Sequence, residues 1–391
     1  MLIDLIIKGL SATVKKIKKM IVKTNVKLNL GLSVLRKRPD GFHDIETLFV
    51  PCFDFGDTLE IITGDDYSRT SAALFAKYGA AEYPTNDDRN AAEPHKTADS
   101  EDSHTTNSKE ASAREERNAS GFVPAASPNE KAETAYSRQI TLSEDGRLVQ
   151  GISEDGKLMI TIAREEGVDW NPLKDLCAKA YNILAQDFDL PPVKIFLEKT
   201  APVGAGLGGG SADAAFTLKA LNELCGLNLS DQRLSEYAAS LGSDCSFFIF
   251  NRPMIGSGRG EVLEPYDIDL SEYETKVLVP EGIAVSTAEA YKGIVPREAA
   301  DISATVSTPR QARCPEGASL QRPETAISLE LREALALPVT EWKDNLVNDF
   351  EATVFKAHPE LAAIKQSLYD SGAVYASMSG SGSALFALYQ K

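Results

Sequence analysis

The stretch Pro202-Val-Gly-Ala-Gly-Leu-Gly-Gly-Gly-Ser211 places five glycines within seven residues and constrains this chain more than any other segment. Before it, Val193-Lys-Ile-Phe-Leu197 reads as a short strand. After it, Ala214, Ala215, Leu218 and Leu221 recur on one side of a helix predicted from Ser211 to Leu224. Strand, glycine loop and helix in that order aim the free first-turn N–H groups of the helix, and the positive end of its dipole, at whatever the loop holds. That arrangement favours an anion. Glycines also serve tight surface turns, but so many of them ahead of a helix argue for a phosphate site.

Three kinds of phosphate loop compete for this segment. Gly204-Ala-Gly206-Leu-Gly208-Gly209 satisfies the dinucleotide fingerprint G-x-G-x-x-G. A dinucleotide unit, however, opens a run of parallel strand–helix units, and here antiparallel-looking strands come first. The G-x-x-x-x-G-K-[ST] loop is excluded because Ser211 follows Gly210 with no lysine between them. A protein-kinase loop would continue into a strand. What remains is a loop in which Pro202, Gly204, Gly206, Leu207, Gly208, Gly209, Gly210, Ser211 and Ala212 enclose nucleotide phosphates. Glycine lets the backbone approach closely, and the Ser211 hydroxyl can serve a phosphate or a magnesium ion.

Bulk properties narrow the class. With 391 residues the chain is long enough for two domains, and its formal net charge of -16 argues against nucleic acid as a partner. Its five cysteines include no C-x-x-C pair, and its four histidines form no H-E-x-x-H, so no metal ligand is assigned and a reducing cytoplasm is expected. No run is long enough to span a membrane, and none is expected as a partner. Residues 1–19 read as a basic extension, with the first domain running from Met20 to residue 252 and a second over 253–391. Within these, 84–138 and 299–325 are polar and poor in apolar residues and read as disordered insertions.

Strands are predicted over Ile21–Leu32, Thr47–Val50, Thr58–Ile62 and Leu158–Ile162, with a turn at Pro39-Asp-Gly41. Asn171-Pro172 has the residues of a helix start, and Leu176, Cys177, Ala180, Ile183 and Leu184 make the apolar face that follows. Taken alone, Lys27 reads as a solvated strand lysine, and Asp244, between a helix end and an apolar run, as a helix-terminal residue.

Three separated motifs change that reading. Asn25-Val-Lys-Leu-Asn-Leu30 with Arg38-Pro-Asp-Gly-Phe-His43, the glycine loop, and Ser377-Met-Ser-Gly-Ser-Gly-Ser383 together resemble the signatures of the GHMP kinases, which include galactokinase, homoserine kinase and mevalonate kinase. The resemblance covers the chain from Met20 to Tyr389 apart from the two insertions. It implies an α+β fold of two lobes with the active site in the cleft, ATP and Mg2+ as cofactors, and phosphorylation of an alcohol.

The Arg38–His43 segment is similar to that of members acting on a cytidine-diphosphate-linked methylerythritol, in the non-mevalonate route to isoprenoid precursors. On that resemblance Asp244 accepts the proton of the substrate hydroxyl and Lys27 orients the carboxylate. Asn29 binds the hydroxyl, while Phe42 and His43 form the wall for the cytosine. Phe42 stands where the family more often has tyrosine, so stacking survives and a phenolic hydroxyl does not. Thr287 is carried over as a further substrate contact, and Asn171 as a residue bordering the adenine, with helix capping as its other reading. Rival readings are a kinase of the same fold acting on another alcohol or sugar, a non-catalytic ATP-binding sensor and, more distantly, a dinucleotide oxidoreductase.

Overall fold

A computed structural model describes residues 18–64, 76–79, 138–297 and 330–391. The expected extension over 1–19, but for its last two residues, and the expected insertions over 84–138, but for Arg138, and 299–325 lie outside the described residues. The first strand, β1 (Lys18–Lys23), opens two residues before Met20.

Strands β2 (Val26–Lys37), β3 (His43–Cys52), β4 (Thr58–Thr63), β5 (Arg138–Thr141), β6 (Leu148–Ile152) and β7 (Leu158–Arg164) follow. A single turn of 3-10 helix, Pro172–Lys174, then leads into helix α1 (Leu176–Asp187). The helix therefore starts at Leu176 and not at Pro172. Asn171 caps only the 3-10 turn, and Asp175, extended at φ -61° and ψ 150°, breaks the helical path before its carboxylate accepts the Cys177 N–H and caps α1. Strand β8 (Val193–Lys199), helix α2 (Gly209–Cys225), helix α3 (Asp231–Leu241) and helix α4 (Cys245–Phe250) come next. The chain continues through β9 (Met254–Ser257), β10 (Val262–Pro265), β11 (Tyr273–Leu278), α5 (Thr287–Tyr291), α6 (Leu331–Leu335), α7 (Trp342–Asn345), α8 (Glu351–Ala357), α9 (Pro359–Asp370), β12 (Tyr375–Met378) and β13 (Leu385–Gln390).

The strands form three sheets. One runs β1-β4-β8-β7-β6-β5, with β7 and β8 its parallel pair, joined through α1. A second runs β10-β9-β3-β2 and a third β11-β13-β12. The division expected at residue 252 is crossed by strand pairing, because β9 joins β3 through Thr47–Phe49.

Helices α1 and α2 cover the first sheet, with Ala180, Leu184, Ala214, Ala215 and Leu218 sharing one core with Leu59, Ile61, Ile160 and Ile195, and α3 packs on α1 and α2 and adds Leu234 to that core. Small side chains along α2 let it approach closely. On β2, Val26, Leu28 and Leu30 point instead into a core shared with Trp342, Tyr375 and Phe386 of the C-terminal half. Burial of each leucine is worth about 2 kcal/mol, and a one-residue slip would drive Lys27 and Asn29 into that core in their place. Gly31, at φ +66°, bends β2 where a Cβ would lie 2.6 Å from Leu346, and Leu32 then exchanges backbone bonds with Val347 and Asp349. The strand thus belongs to one half by sequence and is stitched to the other by packing.

Candidate active site

The glycine loop is held from two sides. Leu207 carbonyl accepts the backbone N–H of Lys27 at 2.9 Å, and Ala205 carbonyl that of Ala384 at 3.1 Å. The Gly206 carbonyl takes the Ser379 hydroxyl at 3.3 Å. A Cβ on Gly206 would stand 2.2 Å from the Ser379 carbonyl oxygen, and at φ +78° the backbone itself favours glycine. Beyond Gly208 the first intrahelical bond of α2 runs from the Ala212 N–H to the Gly208 carbonyl, so the N–H groups of Gly209, Gly210 and Ser211 precede it. Leu207 and Ala212 are buried and anchor the loop, with Pro202 half-buried at its start. Burial pushes the pKa of the Cys245 thiol, beside the Ser211 hydroxyl, up to about 12.

The segment Ser377–Ser383, readable in sequence as a loose turn, is pinned. Buried Asn348 donates its amide hydrogens to the carbonyls of Met378 and Gly380, at 2.7 and 2.8 Å, and Glu351 accepts the Met378 N–H at 2.9 Å. A Cβ on Gly380 would crowd the Gly206 carbonyl oxygen, Lys27 Nζ and Asn29 Oδ1 at 2.9–3.4 Å. Two glycine segments far apart in sequence therefore close on one lysine.

Lys27 is 2% exposed. It is not a solvated strand lysine. Its Nζ donates to Asn29 Oδ1 at 2.5 Å and to the Gly206 carbonyl at 2.8 Å, and lies 3.5 Å from Asp244 Oδ2. Three acceptors match the three N–H donors of an ammonium and fix it in place. Asn29 is oriented in turn by Thr47, whose hydroxyl accepts its amide and donates to the Gly31 carbonyl. Asp244 precedes α4, makes no capping bond, and its side chain is 29% exposed towards a cavity of about 420 Å3. Lys27, Asn29, Gly204, Gly206, Gly208, Asp244, Thr287 and Ser381 line that cavity. The structure thus brings together residues from β2, the glycine loop, the α3–α4 junction and the C-terminal half.

An adjoining cavity of about 600 Å3 is lined by Phe42, His43, Thr287 and Tyr291. The loop carrying Phe42 is closed by the Gly41 N–H on the Arg38 carbonyl, and Arg38 bridges Asp40 and Asp44. Hydrogen bonds from Arg36 and Arg38 hold the Asp44 carboxyl below its usual range. Phe42 is exposed, while the His43 ring stacks on Tyr291 at 4.5 Å between centroids. Burial, helped by the nearby Lys37 charge, lowers the His43 pKa, so the ring is neutral at pH 7. Thr287 opens α5 and its hydroxyl lies 3.2 Å from that of Ser381.

Tyr291 was not read from the sequence, although it follows Thr287 by one helical turn and so shares its face. Asn171 lines neither cavity; its side chain accepts the Leu173 N–H at 2.9 Å.

A second buried lysine sits behind the glycine loop and also escaped the sequence reading. Lys199 Nζ contacts Asp57 Oδ2 at 2.5 Å and Asp213 Oδ2 at 2.6 Å. Thr24 donates to Asp213, and Asp57 Oδ1 accepts the N–H groups of Thr200 and Ala201. Burial alone would lower the Lys199 pKa, but the Asp213 and Asp57 charges outweigh it and keep the pKa above its ordinary value. The available signal was Asp213 itself, a carboxylate set among Ala212, Ala214 and Ala215, which cannot be buried without a partner.

Residues 175–252 match the family model of the GHMP kinases N terminal domain, and residues 331–391 that of the GHMP kinases C terminal domain. With the fold and the glycine loop, these matches define the class as GHMP kinase. The chain is 34% identical over 372 residues to the 4-diphosphocytidyl-2-C-methyl-D-erythritol kinase of Parabacteroides distasonis, covering 95% of this chain and 92% of that one. It is 34% identical over 370 residues to the Bacteroides fragilis protein of the same name, with the same coverage. It belongs to the 4-diphosphocytidyl-2-C-methyl-D-erythritol kinase family. The fold matches a solved structure described as 4-(cytidine 5'-diphospho)-2C-methyl-D-erythritol kinase, with a TM-score of 0.53 at 23% identity, over 94% of this chain and 90% of that one.

Proposed function

We propose that the chain transfers the γ-phosphoryl group of ATP to the 2-hydroxyl of 4-diphosphocytidyl-2-C-methyl-D-erythritol, an alcohol phosphorylation in the non-mevalonate route to isoprenoid precursors. The observation that carries this reading is Lys27 Nζ standing 3.5 Å from Asp244 at the wall of a cavity that the glycine loop also lines. In this reading Asp244 takes the proton from the attacking hydroxyl, and Lys27 orients the carboxylate and offsets developing negative charge. The new O–P bond forms as the bond from the γ-phosphorus to the β–γ bridging oxygen breaks, and ADP leaves.

The first-turn N–H groups of α2 hold the nucleotide phosphates. Magnesium would arrive on ATP, with the Ser211 hydroxyl as its candidate protein contact. Asn29 positions the acceptor hydroxyl, Thr287 lines its path, and Phe42 and His43 receive the cytosine. Among the described residues no helix is long and apolar enough to cross a membrane.

The test is an acceptor panel. Purified protein with ATP is expected to form ADP with the cytidine-diphosphate-linked alcohol and not with homoserine or mevalonate. Comparable turnover of either of the other two would replace this reading with that of a kinase for another alcohol.

A further inference from the structure

The two cavities meet along a wall formed by Ser243, Arg259, Thr287 and Tyr291, and Arg259 is the one cationic side chain of that wall. We propose that the Arg259 guanidinium binds the diphosphate of the acceptor and thereby selects a nucleoside-diphosphate-linked alcohol over a free one. The inference rests on the acceptor named above. With the base at Phe42 and His43 and the reacting hydroxyl at Asp244, the two phosphates joining them must pass along this shared wall.

Arg259 is held where that passage needs it. It sits on the turn between β9 and β10, closed by the Gly260 N–H on the Ser257 carbonyl at 3.0 Å. The Gly258 carbonyl accepts the N–H of Ile45 at 2.7 Å, which ties the turn to β3 two residues beyond His43. Glu261 accepts the Arg259 backbone N–H at 2.6 Å and its Nε at 3.4 Å. The two terminal nitrogens, Nη1 and Nη2, make no hydrogen bond with the described residues, and the side chain's ion pair among them is the one with Glu261. The guanidinium lies 5.3 Å from the centre of the Phe42 ring, and the side chain as a whole is 38% exposed. Asp40, the other acidic group facing it, is itself paired with Arg38 at 3.0 Å. A planar fork braced at Nε, on a side chain that lines both cavities, matches two adjacent phosphates in a way that a lysine point charge does not.

The test is calorimetric titration of CDP and of cytidine into the full chain and its Arg259→Gln variant, each with a saturating non-hydrolysable ATP analogue to block the donor site. The unsubstituted protein is expected to bind CDP about tenfold or more tighter than cytidine, the scale of a charge-assisted hydrogen bond. In Arg259→Gln that preference collapses to about twofold while cytidine affinity holds. Arg259→Lys, which keeps the charge and loses the fork, is expected to retain part of it and shows that the turn still folds.

CDP affinity unchanged in Arg259→Gln would overturn the role of Arg259 and leave the proposed reaction standing. Failure of the unsubstituted protein to bind either cytidine compound removes the acceptor reading, and this inference with it.

Discussion

Two lysines lie buried on either side of the glycine loop, and their surroundings differ in one respect. Lys199 is enclosed by Asp57 and Asp213, both with side chains at most 1% exposed and each within 2.6 Å, and their remaining oxygens are taken by Thr24 and backbone N–H groups. Lys27 is equally buried, but its carboxylate partner stands back at 3.5 Å with part of its surface in a cavity. A buried ion whose every partner is satisfied has nothing left to offer a ligand, so the Lys199 cluster holds β8, α2 and the segment at Asp57 together. A buried ion whose partner keeps open acceptor sites is poised for chemistry. Burial and charge alone would not tell the two apart.

The sharpest way to break this contrast is at the open carboxylate. Asp244→Asn keeps size and shape, and is expected to lower kcat by about 10²–10⁴ while the melting temperature barely moves. Steady-state kinetics beside a thermal melt read both. Near-normal turnover in a folded variant would remove Asp244 as the base.

The same substitution at each lysine then tests the comparison directly. Lys199→Met strands two buried carboxylates and is expected to cost about 3–5 kcal/mol of stability. Lys27→Met leaves Asp244 able to reach water, and is expected to cost less stability but about 10²–10³ in kcat. Denaturant titration and kinetics on both variants would show the pattern; equal stability losses would mean that Lys27 is as structural as Lys199.

The smallest effect concerns His43. Its folded-state pKa lies below the ordinary value of 6.5, chiefly through burial, so the unfolded chain takes up a proton first as pH falls. Its contribution to stability is therefore present above pH 6.5 and declines below it. Thermal melts at pH 7.5 and 5.5 should show a larger acid-side loss in the unsubstituted protein than in His43→Gln. The reverse order would mean that the ring is held charged.

Much of the fold was legible locally. The apolar run of β7 and the small-residue face of α2 gave strand and helix nearly where they stand, whereas the single strand expected over Ile21–Leu32 is two, β1 and β2, which part at Thr24-Asn25 and join different sheets. The start of α1 was misplaced because Asn171-Pro172 is a competent local cap, and nothing near it reveals that Asp175 would interrupt the helical path. Lys27 and Asp244 looked ordinary by themselves, and only their place in a recurring set of motifs singled them out.

What the amino-acid sequence determined by itself was a glycine loop running into a helix N-terminus, since five glycines before a helix act through backbone geometry and need no distant partner. Tertiary structure decided what surrounds that loop. The 3.5 Å separation of Lys27 from Asp244, the stacking of Tyr291 on His43, the placement of Arg259 beside Phe42 and the closed cluster around Lys199 join residues tens to hundreds of positions apart. Such contacts arise when sheets and helices bury their apolar faces, and no local pattern carries the distances that result.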